Sequence, residues 1–143
     1  MVAVDAPWHG DPVPSGPPGP RAALWEHEVV ELFLLGPDGP ERKYTEIELG
    51  PHGHHLVLQL EGVRRPVADQ LPIRWEVERR GDRWVGEARI DESLLPDPVV
   101  ALNAYAIHGV GVDRRYLAWA PVPGDGPDFH RLAHFPGVDS WRP

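Results

Sequence analysis

Two stretches of alternating residues, RKYTEIEL and HHLVLQLEGV, face each other across GPHG. Successive side chains of an extended strand point to opposite faces. Thr45, Ile47 and Leu49 therefore share one face of the first stretch, and Tyr44, Glu46 and Glu48 the other. The glycines and proline of GPHG close the pair as a turn. The simplest reading of Glu46–Leu60 is an antiparallel β-hairpin, with His52 in the turn and His54 and His55 opening the return strand. Ile47 and Leu49 should be buried, because a one-sided apolar face pins the register.

The same texture runs along the chain. VAVDAPW reads as a short strand. LWEHEVVELFLL reads as another, with helix as its rival because the stretch is long and rich in Glu and Leu. LPIRWEVER and RWVGEARI flank Gly81-Asp82 as a second hairpin, with Trp75 and Trp84 on facing strands as a cross-strand pair. DESLLPDP makes a helical turn at most. VVALNAYAIHGV is apolar and continuous, which suits a central strand buried on both faces. RRYLAWAPV is a last strand, ended by Pro121 and Pro123. Residues 9–21, HGDPVPSGPPGP and Arg21, are too dense in Pro and Gly for helix or inner strand and form a Pro-rich loop. The tail PDFHRLAHFPGVDSWRP is irregular, with aromatics that must pack on something. About eight short strands and almost no helix predict an all-β protein, an antiparallel β-sandwich or barrel. The 143 residues form a single domain, 1–143.

Composition narrows the function. The formal charge of −8 argues against nucleic acid and against an anionic membrane surface as partners. No apolar run reaches membrane length, and the N-terminal residues do not read as a secretory leader. The chain has no cysteine, so thiolate chemistry, thiolate metal sites and disulfides are absent. A cytoplasmic setting is the expectation. Ser15, Ser93, Ser140 and Thr45 are the hydroxyl nucleophiles on offer, and none sits in a nucleophile elbow.

The chemistry-bearing residues are carboxylates, histidines and tryptophans. Glu31, Glu46 and Glu48 fall at positions that one sheet face could share. A half-exposed face with Arg or Lys on the next strand explains them most simply. A polar ligand-binding face, an acid–base pair, or a cation site completed by His54 are the alternatives. His54 and His55 point to opposite faces, so at most one can join the glutamates. His108 and His130 are better partners, if the fold brings them close. The glycines after His108 read as a hairpin turn, not a phosphate loop. The arginine pairs at 64–65, 79–80 and 114–115 read as solvated hairpin ends. Trp8, Trp25, Trp119 and Trp141 are stacking platforms or core.

Taken together, LWEHEVVELFLL, YTEIELGPHGHHLVLQLEG, NAYAIHG, RRYLAWAPVPG and PDFHRLAHF resemble a small uncharacterised protein family of bacteria and animals. The blocks run in order from about Val4 to Phe135. That family is similar in turn to family 9 carbohydrate-binding modules and DOMON-like β-sandwiches, through its Trp–acid–Val-Glu strand and its Tyr-x-Glu-x-Glu strand. The resemblance implies a sandwich that binds a ligand. Two features depart from it. The sugar-gripping ring pair and calcium loop of family 9 modules have no counterpart here. A strand or two expected before VAVDAPW is missing, which would expose a sheet edge and favour self-association.

The expected function is non-catalytic binding of a small polar ligand, plausibly a carbohydrate, with no cofactor. The expected site joins Glu31, Glu46, Glu48, His108, Arg115 and Trp119 in one cleft; whether a metal takes part is open. A hydrolytic enzyme using Glu and His of one sheet face is the alternative, and a structural or partner-binding module the third.

Overall fold

A computed structural model describes residues 1–140. Its strands are β1 (Val2–Pro7), β2 (Gly19–Pro20), β3 (Val29–Leu35), β4 (Lys43–Leu49), β5 (His54–Glu61), β6 (Pro66–Ala68), β7 (Arg74–Arg80), β8 (Arg83–Arg89), β9 (Ala101–His108) and β10 (Arg115–Ala118). They form two sheets. The larger runs β10-β9-β3-β4-β5-β2, with β6 also on β5; the smaller runs β1-β8-β7. All strand pairs are antiparallel except the short β2–β5 contact. Among the described residues, helix is confined to single 3₁₀ turns, such as Leu24–Glu26 just before β3, and no described helix is long and apolar enough to cross a membrane.

The opening hairpin forms as expected. Glu46 lies opposite Leu58, Ile47 opposite Val57 and Leu49 opposite His55. Ile47 and Leu49 are buried. They pack with Val57, Leu32 and Leu34 against Val2, Val4, Trp75 and Ala88 of the small sheet, which makes the core of the sandwich. Each such fully buried aliphatic contributes roughly 1.5–3 kcal/mol. The second hairpin also forms, and the Trp75 and Trp84 rings meet edge to face with centroids 6.2 Å apart. They are not directly opposite: Trp75 pairs with Ala88, and Trp84 with Arg79. Gly86 lies between them on the same face, and a Cβ there would collide with the Trp75 ring.

The large sheet is covered on its second face too, which the alternation did not predict. Phe33, Leu35, Tyr44, Leu60 and Tyr105 form an aromatic cluster closed by Phe129, Leu132 and Phe135 of the C-terminal segment. That segment is held by backbone bonds from Leu102 N–H to the Pro136 carbonyl and from Val138 N–H to the Val100 carbonyl. Asn103, fully buried, donates to the Tyr105 hydroxyl and the Ala120 carbonyl and accepts from the Ala104 and Ala120 amides. Every polar atom of its amide is thereby engaged, as burial requires.

Several expectations need correction. β9 lies next to the edge strand β10, and one of its faces is only half-buried. LWEHEVVELFLL begins with a 3₁₀ turn before it becomes a strand. The Pro-rich loop joins the sheet after all. Gly19 and Arg21 donate to the Gly53 and His55 carbonyls on either side of Pro20, which has no N–H to give. The loop is tied down further by the Glu28 carboxylate, which accepts from the His9 and Asp11 amides. β1 and β7 border the small sheet, and β7 carries exposed ion pairs, Arg74–Glu76 and Arg80–Glu78. Charges of this kind discourage edge-to-edge pairing.

Candidate functional site

Register decides which side chains meet. Glu31 of β3 lies directly opposite Glu48 of β4, and Phe33 opposite Glu46. On the other side of β3, Glu31 faces Tyr105 and Val29 faces Ile107. Glu46 and Glu48 sit across from Leu58 and Leu56. The three carboxyl groups therefore share one face of the large sheet, surrounded by apolar and aromatic neighbours. The simple reading of a half-exposed, salt-bridged face does not hold. Glu31 is 2% exposed, Glu46 4% and Glu48 0%, and the residue facing Glu48 on β3 is a like charge.

Above this floor is an open cavity of about 440 Å³. Glu31, Phe33, Glu46, Leu58, Leu60 and Ile107 line its base. Trp25, Tyr116 and Phe129 form aromatic walls, and Arg64 and His130 the polar rim. Phe129 is fixed in place: its ring stacks on Tyr105 with centroids 3.9 Å apart, and its carbonyl accepts from the Tyr105 hydroxyl. Trp25 is held through its carbonyl by the Arg114 guanidinium, which also reaches the Gly109 and His27 carbonyls.

Burial sets the electrostatics. It raises the carboxyls of Glu31 and Glu48 well above the ordinary range, and neighbouring carboxylates push in the same direction. It raises Glu46 to about 7. An ionised carboxylate loses its hydration here and gains little in return. Glu46 and Glu48, two residues apart on β4, lie close enough to share a carboxyl–carboxyl hydrogen bond, and the Trp25 backbone reaches Glu48, whereas Oε1 of Glu31 has no hydrogen bond among the described residues.

A short relay borders Glu46. The Arg64 amide donates to the Tyr44 hydroxyl at 3.0 Å, and Tyr44 lies 2.8 Å from His130 Nδ1. The Tyr44 hydroxyl and Nδ1 share one proton, given by Tyr44 in the Nε2–H tautomer of His130. In that tautomer the hydrogen sits on Nε2, which lies 3.8 Å from Glu46 Oε2. Burial, and after it the Arg64 charge, lowers His130 to about 4, so His130 and Glu46 are not an ion pair at neutral pH. Burial likewise lifts Tyr44 to about 12.

The expected constellation assembles only in part. Glu31, Glu46 and Glu48 converge. His108 and Arg115 do not join them: they pair with each other across β9 and β10, one residue out of phase with Ile107 and Tyr116, which face the glutamates. A one-residue difference in parity puts a side chain on the other face. There the His108 ring stacks on His9 at 3.6 Å, and Arg115 donates to the Val112 and Arg114 carbonyls. Trp119 follows the end of β10, half-exposed, and is not among the residues lining the cavity. His54 does share the carboxyl face, yet its ring faces the Gly16 carbonyl of the Pro-rich loop at 3.3 Å. His52 packs edge-on to Trp8. Trp141 lies outside the described residues. No group of three or more His, Asp or Glu among the described residues has a geometry that could hold a metal ion.

Arg64 and Tyr44 carry no functional mark in the sequence. Arg64 has the look of a hairpin-end charge, and Tyr44 that of a sheet residue. The signal for Tyr44 is its shared parity with Glu46 and Glu48. For Arg64, whose backbone is left-handed at φ 57°, there is none.

No protein-family profile matches the chain. It is 41% identical to the UPF0462 protein C4orf33 homolog of Danio rerio, over 94% of this chain and 72% of that one. It is 45% identical to the Mus musculus homolog, over 94% and 73%. Among solved structures, it resembles a Bacteroides uniformis protein provisionally described as carbohydrate-binding. The TM-score is 0.65 and the identity 19%, over 94% of this chain and 66% of that one, a likeness of fold. Identity of this level across most of both partners places the chain in the UPF0462 family.

Proposed function

We propose that this protein is a non-catalytic binding module for a small polyhydroxylated ligand, a carbohydrate of one or two rings, held in the cleft over Glu31 and Glu46. One observation carries the reading. Glu31 and Glu46, buried carboxyl side chains that no Arg or Lys among the described residues pairs with, line a cavity of about 440 Å³ whose walls are Trp25, Tyr116 and Phe129. Desolvated polar groups of this kind are costly to the fold, so their clustering in a cleft points to use. Sugar hydroxyls would donate to the carboxyl oxygens, while the apolar face of the ring lies against an aromatic wall. The volume falls within the ordinary range for small-ligand sites. The fold shared with a protein provisionally described as carbohydrate-binding supports the choice of sugar over other polyols.

The test is calorimetric titration of the protein with a panel of neutral mono- and disaccharides, beside Trp25→Ala and Phe129→Ala. Saturable binding that both substitutions weaken by about tenfold, roughly the loss of one aromatic contact, supports the reading. Binding that neither affects places the ligand elsewhere. Hydrolysis is a second reading, favoured by the Glu46–His130 approach and by a Glu46 value near neutrality, since a general acid works best near the operating pH. Turnover of nitrophenyl glycosides that is lost in Glu46→Gln would establish it over simple binding.

A further inference from the structure

We propose that the ligand of this cleft carries a protonated amine, and that its class is the amino sugars. This rests on the carbohydrate reading above and narrows it. Unmatched charge and unmatched acceptors point the same way. Three carboxyl groups from two adjacent strands crowd one face, each at least nine-tenths buried. Two of them, Glu31 and Glu46, line the cavity, and Oε1 of Glu31 has no hydrogen bond among the described residues. Carboxyl groups in such numbers are ordinarily matched by Arg or Lys.

The nearby cations, Arg64 and Arg114, favour the ionised forms of Glu46 and Glu31 from a distance but bond other groups. Arg64, on the rim, is held by Asp128 at 2.9 Å. Arg114 spends its guanidinium on the Gly109, Trp25 and His27 carbonyls and lies 5.7 Å from the Tyr116 ring centre. His130 is neutral at pH 7. The cleft thus offers acceptors and latent negative charge that no Arg or Lys among the described residues bonds directly, and a cationic ligand would supply that direct partner.

The walls suit the same guest. A desolvated ammonium gains from the faces of Trp and Tyr rings, and both types stand in the wall. A neutral polyol could use the acceptors but would leave the clustered carboxyls uncompensated. An ammonium group satisfies several at once, with three donors and one positive charge. The remaining hydroxyls of the ring meet the same floor.

Binding is then linked to protons. Glu46 lies opposite Phe33, with Glu48 beside it on its own strand, Glu31 diagonally across on β3, His130 from the C-terminal segment, Tyr44 next to it in the sheet, and the Arg64 charge, itself paired with Asp128, from the β5–β6 turn. An ammonium arriving beside Glu46 favours its ionised form and releases a proton to solvent. Between pH 5.5 and pH 7.0 the ionised fraction of a group titrating near 7 rises by more than tenfold, and affinity for an amine should rise with it.

The experiment titrates the whole chain with glucosamine, galactosamine and mannosamine, with their N-acetyl and hydroxyl counterparts, and with cyclohexylammonium as an amine without hydroxyls. Each is measured at pH 5.5 and 7.0, and in buffers of different ionisation enthalpy. The expected result is at least one amino sugar bound tenfold or more tightly than its neutral counterparts, with proton release and roughly tenfold tighter binding at the higher pH. Glu46→Gln and Glu31→Gln should erase that preference, so that each amino sugar binds no more tightly than its neutral counterpart in the same variant. Equal or tighter binding of neutral sugars overturns the amine inference and leaves the carbohydrate reading intact. Binding of cyclohexylammonium with no sugar of either kind overturns the carbohydrate reading and keeps the cationic ligand. No binding by any probe overturns both.

Discussion

Replacing Glu46 by glutamine should stabilise the unliganded protein at pH 8 and leave it nearly unchanged at pH 4. Burial raises the Glu46 carboxyl from the ordinary 4.5 to about 7 in the folded protein. The folded state therefore holds this proton more tightly than the unfolded state does. Stability is full below about 4.5, falls as pH rises through the interval to about 7, and stays at its lower level above. A tenfold difference in proton affinity between the folded and unfolded states is worth about 1.4 kcal/mol, so the carboxyl costs the fold about 3 kcal/mol at pH 8. Glutamine has nearly the same shape and no charge, so it removes most of that cost, less the smaller penalty of burying an amide. For a chain of this size the gain corresponds to a rise in Tm of about 10 °C. Urea unfolding of both proteins at pH 4, 6 and 8, followed by tryptophan fluorescence, measures it. A Glu46→Gln protein that is less stable at pH 8, or a gain that does not change with pH, would refute the idea that an uncompensated carboxyl sits in this cleft.

Other outcomes follow from the same structure. Gly86→Ala should cost about 1–3 kcal/mol by forcing the Trp75 ring out of its slot, and near-ultraviolet circular dichroism should show the Trp75–Trp84 contact disturbed. Tyr44→Phe removes the donor to His130 and the acceptor for the Arg64 amide; a loss of about 1–2 kcal/mol in urea unfolding is expected. His130, buried and lowered to about 4, acts opposite to the carboxyls. Its contribution is complete above about 6.5 and is lost as pH falls towards 4, so His130→Gln should flatten the acid limb of the stability profile. Asn103→Leu should cost at least about 3 kcal/mol, because it leaves buried partners on Tyr105, Ala104 and Ala120 unmatched.

Much of the fold is legible in the alternation. The β4–β5 and β7–β8 hairpins each carry a turn of glycine with polar residues or proline between strands of opposite-face patterning, and both form with the expected partners. The site is less legible. The parity of Glu46 and Glu48 is plain, but their depth depends on Phe129, Leu132 and Phe135 folding back over the sheet. Tyr44 and His130, which border the site, are 86 residues apart, and no local pattern announces such a contact. His108 attracts attention because it ends an apolar strand. Its strand nevertheless shows a weak alternation: Asn103, Tyr105 and Ile107 on the buried face, Ala104, Ala106 and His108 on the other. Weighed as a period of two rather than as one apolar run, that pattern places Ile107, not His108, beside the glutamates.

The central claim is that the cleft over Glu31 and Glu46 receives a sugar. The tryptophan indole N–H signals in a two-dimensional ¹⁵N NMR spectrum test it most directly, because the rings report from separate places. Trp25 stands in the cavity wall, while Trp84 is buried in the small sheet and Trp75 bonds the Gly50 carbonyl. With the signals assigned by single Trp→Phe substitutions, neutral and amino sugars are added stepwise. The account predicts a saturable shift of the Trp25 signal with at least one sugar, while those of Trp75 and Trp84 stay in place. A Trp25 signal that no sugar moves, or a sugar that moves only Trp8 or Trp119, would contradict it.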